Sequence, residues 1–90
     1  MDIEVPNLES IFGPADSVAK QRAMNRATIS NLYFEEGDEI KEGELFAVLF
    51  NDYGTCEVAA SAPGILISSP YEEGDSVTSE EVLATIETDL

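Results

Sequence analysis

The 90-residue chain has no histidine, one cysteine and only 4 cations against 19 acidic residues. Without histidine the commonest general base near neutral pH is missing, which excludes Ser-His-Asp and Cys-His catalytic machinery. With Cys56 alone, neither a disulfide framework nor a thiolate metal cluster can form. No apolar run approaches the ~18 residues of a membrane span, and Met1-Asp2-Ile3-Glu4 lacks the positive start and apolar stretch of a secretory signal. A cytoplasmic location is expected. The formal net charge of −15 repels phosphate backbones and anionic lipid surfaces, so neither nucleic acid nor membrane is an expected partner. The same field costs stability through self-repulsion. It fits first a solubilising, fast-diffusing module, with salt adaptation or docking to a basic partner as the alternatives.

What the chain does contain is an internal repeat. Glu35-Glu36-Gly37-Asp38 returns as Glu72-Glu73-Gly74-Asp75, Glu44 as Glu81, Ala47 as Ala84 and Asp52 as Asp89, a constant offset of 37 (72 − 35 = 37). Residues 34–52 thus repeat at 71–89. At least three repeats are normally needed for a solenoid, so two copies more plausibly form the two halves of one small domain, residues 1–90. A domain of this size buries roughly 60–65% of its unfolded surface and has a thin core.

The pattern reads as strands punctuated by turns. Strands are expected at Asp2 to Leu8, Ala27 to Phe34, around Ile40, Leu45 to Phe50, Thr55 to Ala60, Ile65 to Ser68, around Val77, and Val82 to Glu87. The Glu-Glu-Gly-Asp turns place a glycine where φ > 0 is needed, and Asn51-Asp52-Tyr53-Gly54 forms a tight hairpin. The fold class is an all-β meander with internal two-fold character.

These residues resemble the biotinyl/lipoyl carrier domain. The likeness is carried by Val5-Pro6-Asn7-Leu8, the first Glu-Glu-Gly-Asp turn followed by Glu42-Gly43-Glu44, the hairpin, and Thr55-Cys56-Glu57-Val58 leading to Ala62-Pro63-Gly64. It implies a flattened barrel or sandwich of two four-stranded antiparallel sheets related by a quasi-two-fold axis. The family carries a modifiable lysine at the hairpin tip, in a lipoyl Asp-Lys-Ala sequence, and this chain has Asp52-Tyr53-Gly54 there. No methionines flank the tip as they do in biotinyl domains, so the lipoyl branch is nearer.

The family's chemistry joins a cofactor carboxyl to a primary amine as an amide. A phenol with an ordinary pKa near 10 gives only a hydrolysable ester, so no cofactor is expected at Tyr53. Tyr53 reads in three ways: a tolerated residue in a degenerate carrier, a binding anchor with large rigid area and one hydroxyl, or an artificial replacement of lysine. Lys41 reads as a solvated surface residue. Lys20 is the remote candidate for attachment, because the segment between the first two strands lies beside the tip in lipoyl domains and helps partners recognise them.

That inserted segment, residues 10–26, is longer than the family usually has. Gly13-Pro14 breaks it, Asp16 or Ser17 can cap a helix, and Val18 to Met24 favours one by propensity. Lys20, Arg22 and Arg26 are three of the chain's cations. The segment is either a short helix held on the acidic barrel by charge and by Ile11, Phe12, Val18 and Met24, or a recognition loop beside the tip.

Strict alternation in the second copy puts Val82, Ala84 and Ile86 inward, with Leu83, Thr85 and Glu87 outward. Projected onto the first copy, Leu45, Ala47 and Leu49 face the core while Phe46, Val48 and Phe50 face out, next to Tyr53. Outward apolar side chains this close imply a covered surface, by the inserted segment or by another subunit, and a bulge would remove the argument. Cys56 shares parity with Val58 and reads as a buried small hydrophobe. The Glu35, Glu36, Asp38 and Glu72, Glu73, Asp75 clusters read as solvated turns, and no metal site is expected.

The expected function is therefore non-catalytic. The chain is read as a protein-binding or self-associating assembly module that uses Phe46, Val48, Phe50 and Tyr53. The alternative is a lipoate carrier, or less readily a biotin carrier, for acyl transfer in a 2-oxo acid dehydrogenase-like complex, with its lysine replaced or displaced to Lys20. A relic of a carrier without a dedicated partner is the third reading.

Overall fold

The computed structural model describes residues 1–88, so the Asp52/Asp89 correspondence of the repeat lies outside the described residues at its second member. In chain order the elements are β1 (Asp2–Glu4), α1 (Leu8–Phe12), α2 (Val18–Met24), β2 (Arg26–Leu32), β3 (Glu39–Ile40), β4 (Leu45–Asn51), β5 (Gly54–Ala59), β6 (Gly64–Ser68), β7 (Ser76–Thr78) and β8 (Val82–Glu87). They form two four-stranded antiparallel sheets, ordered β1-β8-β6-β3 and β5-β4-β2-β7. The 37-residue offset carries β2, β3 and β4 onto β6, β7 and β8, and closing the circle carries β5 onto β1. One sheet is thus the image of the other, as the resemblance implied.

The core between the sheets is apolar throughout, with Ile3, Val5, Leu8, Ile29, Ile40, Phe46, Leu49, Leu66, Val77, Leu83 and Ile86 buried, and no polar or charged residue is buried among those described. Polar groups instead secure the turns. Asp38 and Asp75 each accept the backbone N–H of the residue three earlier, Glu35 and Glu72, at 2.8 Å. Gly37 and Gly74, at φ +95° and +96°, donate their N–H groups across the molecule to Leu66 O and Ile29 O at 2.7 and 2.8 Å. Glu36 accepts from Ser69 N and Glu73 from Leu32 N, both at 3.1 Å. These acidic clusters are therefore turn caps that stitch each half to the other, and no metal-holding cluster exists among the described residues. Among those residues no helix is long and apolar enough to cross a membrane.

Two expectations need correction. The first strand ends at Glu4 rather than Leu8. Pro6 has no N–H to give a ladder, and Asn7 caps α1, its side-chain oxygen accepting from Ser10 N at 3.2 Å. Leu8 then turns fully into the core.

The second correction concerns alternation, which fails at a pair of bulges. In β4, Leu45 faces Ala59 and Ala47 faces Val58, leaving Phe46 as an extra residue; in β8, Ala84 faces Ile3 and Val82 faces Glu4, leaving Leu83 extra. A bulge turns two consecutive side chains to the same side. Phe46 is therefore 0% exposed beside buried Ala47, and Leu83 is buried beside Ala84 while Val82 is exposed. Phe46 does not face outward, and neither does Leu83. A second pair of bulges, at Ser30 in β2 and Ile67 in β6, obeys the same offset.

Candidate functional site

β4 and β5 form the hairpin, with Asn51 paired to Gly54 so that Asp52 and Tyr53 are its two-residue loop. Asn51 fixes this tip. Its Oδ1 accepts from Tyr53 N at 2.8 Å, and its Nδ2 donates to Met24 O at 3.1 Å and Arg26 O at 3.2 Å. One amide thereby closes the loop and ties it to the end of the inserted segment. Gly54, at φ +149°, adds a second tie, because a Cβ there would meet Phe12 Cε1 at 3.0 Å. Tyr53 is left 40% exposed at the apex.

Sequence reasoning missed both ties. The signal for Asn51 was present, since asparagine at a turn readily bonds the backbone two residues on, but its donors reach residues distant in the chain. The Phe12–Gly54 approach has no local signature.

The inserted segment contains α1 and α2. Ser17 is the N-cap of α2, its hydroxyl accepting from Lys20 N at 3.2 Å. Lys20 Nζ pairs with Asp16 at 3.1 Å one turn away. The far end of the segment is fastened by Ser79, whose Oγ accepts from Leu8 N at 3.1 Å and donates to Asn25 Oδ1 at 2.8 Å. Of the apolar residues expected to hold this segment down, Met24 is buried and Phe12 packs on the core, whereas Ile11 and Val18 are exposed. Lys41 is exposed, with its backbone N–H bonded to Glu44 Oε1 at 2.8 Å.

Of the four outward candidates, Phe46 is in the core, stacked on Phe34 with ring centroids 6.5 Å apart. Val48 is half-buried and Phe50 is 43% exposed. Directly opposed residues lie on one face of a sheet, so Ser76, Thr28, Phe50 and Thr55 make a row across all four strands β7, β2, β4 and β5. That row carries no charge. Its counterpart on the other sheet is Glu39, Ile65 and Glu87, with two carboxylates.

Beside the row lies an open groove of about 480 Å³, lined by Arg22, Arg26, Phe50, Asn51, Asp52 and Ser76 among others. The single ion pair among the described residues is Lys20–Asp16, so neither groove arginine is paired.

Cys56 is buried behind the hairpin, and burial first, then the Glu57 charge, pushes its thiol pKa up. It is a core residue rather than a nucleophile. On the other half, Tyr71 donates its phenol O–H to Glu81 Oε2 at 3.1 Å. That bond raises the Tyr71 pKa, while hydrogen bonds from Thr78 lower that of Glu81.

A family model described as "Biotin-requiring enzyme", of the biotin/lipoyl type, matches residues 20–86. Among solved structures, the chain is similar to the lipoyl domain of the 2-oxoglutarate dehydrogenase complex from Azotobacter vinelandii, at 25% identity and a TM-score of 0.67, over 97% of this chain and 95% of that one. Comparison with curated proteins finds no match.

Proposed function

The chain belongs to the biotinyl/lipoyl domain family, and from that premise we propose that it is a non-catalytic binding or assembly module, docking through the hairpin sheet instead of carrying a prosthetic group. The observation that carries this reading is the uncharged outer row of the hairpin sheet, Ser76, Thr28, Phe50 and Thr55, in a molecule of net charge −15. Where the scaffold's other half has half-buried Thr85 and exposed Glu87, this half has half-buried Val48 and exposed Phe50. A partly exposed phenylalanine on an uncharged row, next to a tyrosine at the apex, matches the aromatic enrichment of protein contacts.

The residue at the apex does not fit a covalently attached cofactor. Amide formation needs an amine, and Tyr53 offers a phenol. Lys20, the remote candidate, sits within α2 and is engaged with Asp16, while Lys41 belongs to the turn preceding β4. The docking surface therefore comprises Val48, Phe50 and Tyr53, without Phe46.

The test is intact mass after co-expression with lipoate and biotin ligases. The wild-type chain is expected to stay unmodified, and Tyr53→Lys to gain one cofactor. A cofactor on the wild-type chain, at Lys20 or elsewhere, would overturn the proposal.

A further inference from the structure

The docking surface has a chemistry of its own, set by where the few cations fall. The chain carries 4 cations and 19 acidic residues, yet Arg22 and Arg26 line one groove together with Phe50. Both guanidinium groups belong to exposed residues and neither is ion-paired among the described residues. Surplus carboxylates are abundant, so leaving both arginines unpaired is not forced by composition. Asp52 lies at the tip end of the groove, giving a local balance of +1 (two arginines less one aspartate). Asn51, Thr28 and Ser76 supply neutral hydrogen-bonding groups along the walls.

We infer that this groove takes a partner-protein segment bearing a single acidic residue, with its carboxylate between Arg22 and Arg26 and a neighbouring apolar side chain against Phe50. The inference rests on the hairpin sheet being a docking surface, as proposed above, and specifies what docks. Guanidinium forks recognise carboxylates bidentately, and an aromatic wall beside them suits an adjacent apolar residue.

The overall charge narrows the occupant further. With −15 on the domain, a polyanion or a second copy of the same chain meets repulsion over its whole length. A single carboxylate within the ~8 Å reach of unscreened charge at physiological salt instead experiences the two arginines first. The segment should therefore hold one isolated acidic residue rather than an acidic tract.

The experiment is a titration of the isotopically labelled full chain, followed by amide chemical shifts. Three blocked peptides serve as probes: Ala-Phe-Glu-Ala, the same peptide with Gln for Glu, and the same with Lys. The Glu peptide is expected to shift residues 22–28, 50–52 and 76, and to bind at least about threefold more tightly than the Gln peptide. Arg22→Gln combined with Arg26→Gln should weaken it about tenfold, the effect of two exposed charge contacts. Retained thermal unfolding of the double variant would show that the loss is local, since both side chains are exposed.

Equal binding of the Glu and Gln peptides at the Phe50 row, or preference for Lys, would overturn the carboxylate inference while leaving the docking face intact. Shifts confined to other residues, or none at millimolar peptide, would overturn both readings of this face. Shifts at Phe50 that depend only on protein concentration would assign the face to self-association and overturn the inference.

Discussion

Replacing Phe46 measures directly whether the bulge in β4 exists. The ring is 0% exposed and stacks on Phe34, so full truncation to alanine should cost about 3–5 kcal/mol in lost transfer energy and residual cavity. A domain of this length holds only about 5–13 kcal/mol in total, at roughly 0.05–0.15 per residue. Phe46→Ala therefore risks unfolding outright, and Phe46→Leu is the better probe. Leucine refills part of the space, leaving a deficit of about 1–2 kcal/mol, or a fall in Tm of roughly 5–15 °C at ~4–8 °C per kcal/mol. Phe50→Ala is the control: at 43% exposure it should stay within about 0.5 kcal/mol of wild type. Urea unfolding by far-UV circular dichroism gives each value, and equal m slopes are required for the comparison. Leu83→Ala, at the matching bulge of β8, should cost about 2–4 kcal/mol. If Phe46→Leu left stability unchanged while Phe50→Ala lowered it, strict alternation would be restored and the bulge refuted.

Two further outcomes follow from backbone strain and from burial. Glu80 stands at φ 71° where the first copy has Gly43 at φ 86°; this left-handed conformation costs a Cβ-bearing residue about 1–2 kcal/mol, and glycine's extra unfolded-state entropy returns about 0.4–1 of that. Glu80→Gly should thus raise stability by about 0.5–1 kcal/mol in thermal melts, and a lowered Tm would refute the strain. On the alkaline side, the raised Cys56 pKa means the folded state favours the protonated thiol. Its contribution is full below the unfolded thiol pKa near 8.5 and is lost as pH rises through the higher folded value. The urea midpoint should be level to about pH 8.5 and then decline, and the gap between wild type and Cys56→Ala should narrow as pH climbs. A gap that stays constant to pH 10.5 would contradict the assignment.

The sheets were legible because their determinants are local and occur twice. Glu-Glu-Gly-Asp specifies a turn by a glycine with φ > 0 and an aspartate that caps it, and both copies do so with the same 2.8 Å bond. Ser17 as the cap of α2 was equally readable. What escaped was whatever depends on position between strands. A bulge is an offset between two strands, and nothing in Leu45 to Phe50 alone tells which residue is the extra one, so simple alternation puts Phe46 on the wrong face. The true pattern was nonetheless shared by the copies, since Leu83 sits in the same bulge. Symmetry transmitted the same misreading to both strands and could not expose it. The start of α1 is hard to read from sequence because the alternation of Ile3, Val5 and the apolar Leu8 suits a strand, whereas Asn7 acts as a cap only once Pro6 has ended the ladder.

The duplication also supplies an internal control for function. Whatever the scaffold needs is found in both halves: bulges at Phe46 and Leu83 and at Ser30 and Ile67, caps at Asp38 and Asp75, cross-links from Glu36 and Glu73. A feature found in one half only is not required by the architecture. Around the hairpin the copies differ at Asn51, whose counterpart is Thr88; at Phe50, whose counterpart is Glu87; at Val48, whose counterpart is Thr85; and at Arg26, whose counterpart is Pro63. All four lie on the hairpin sheet, at its tip or beside the groove. The copies also differ elsewhere, as at Tyr33 and Pro70, Lys41 and Thr78, or Gly43 and Glu80, so a difference alone does not mark a docking surface; what sets this end apart is that a charged Glu87 in one copy is an exposed Phe50 in the other.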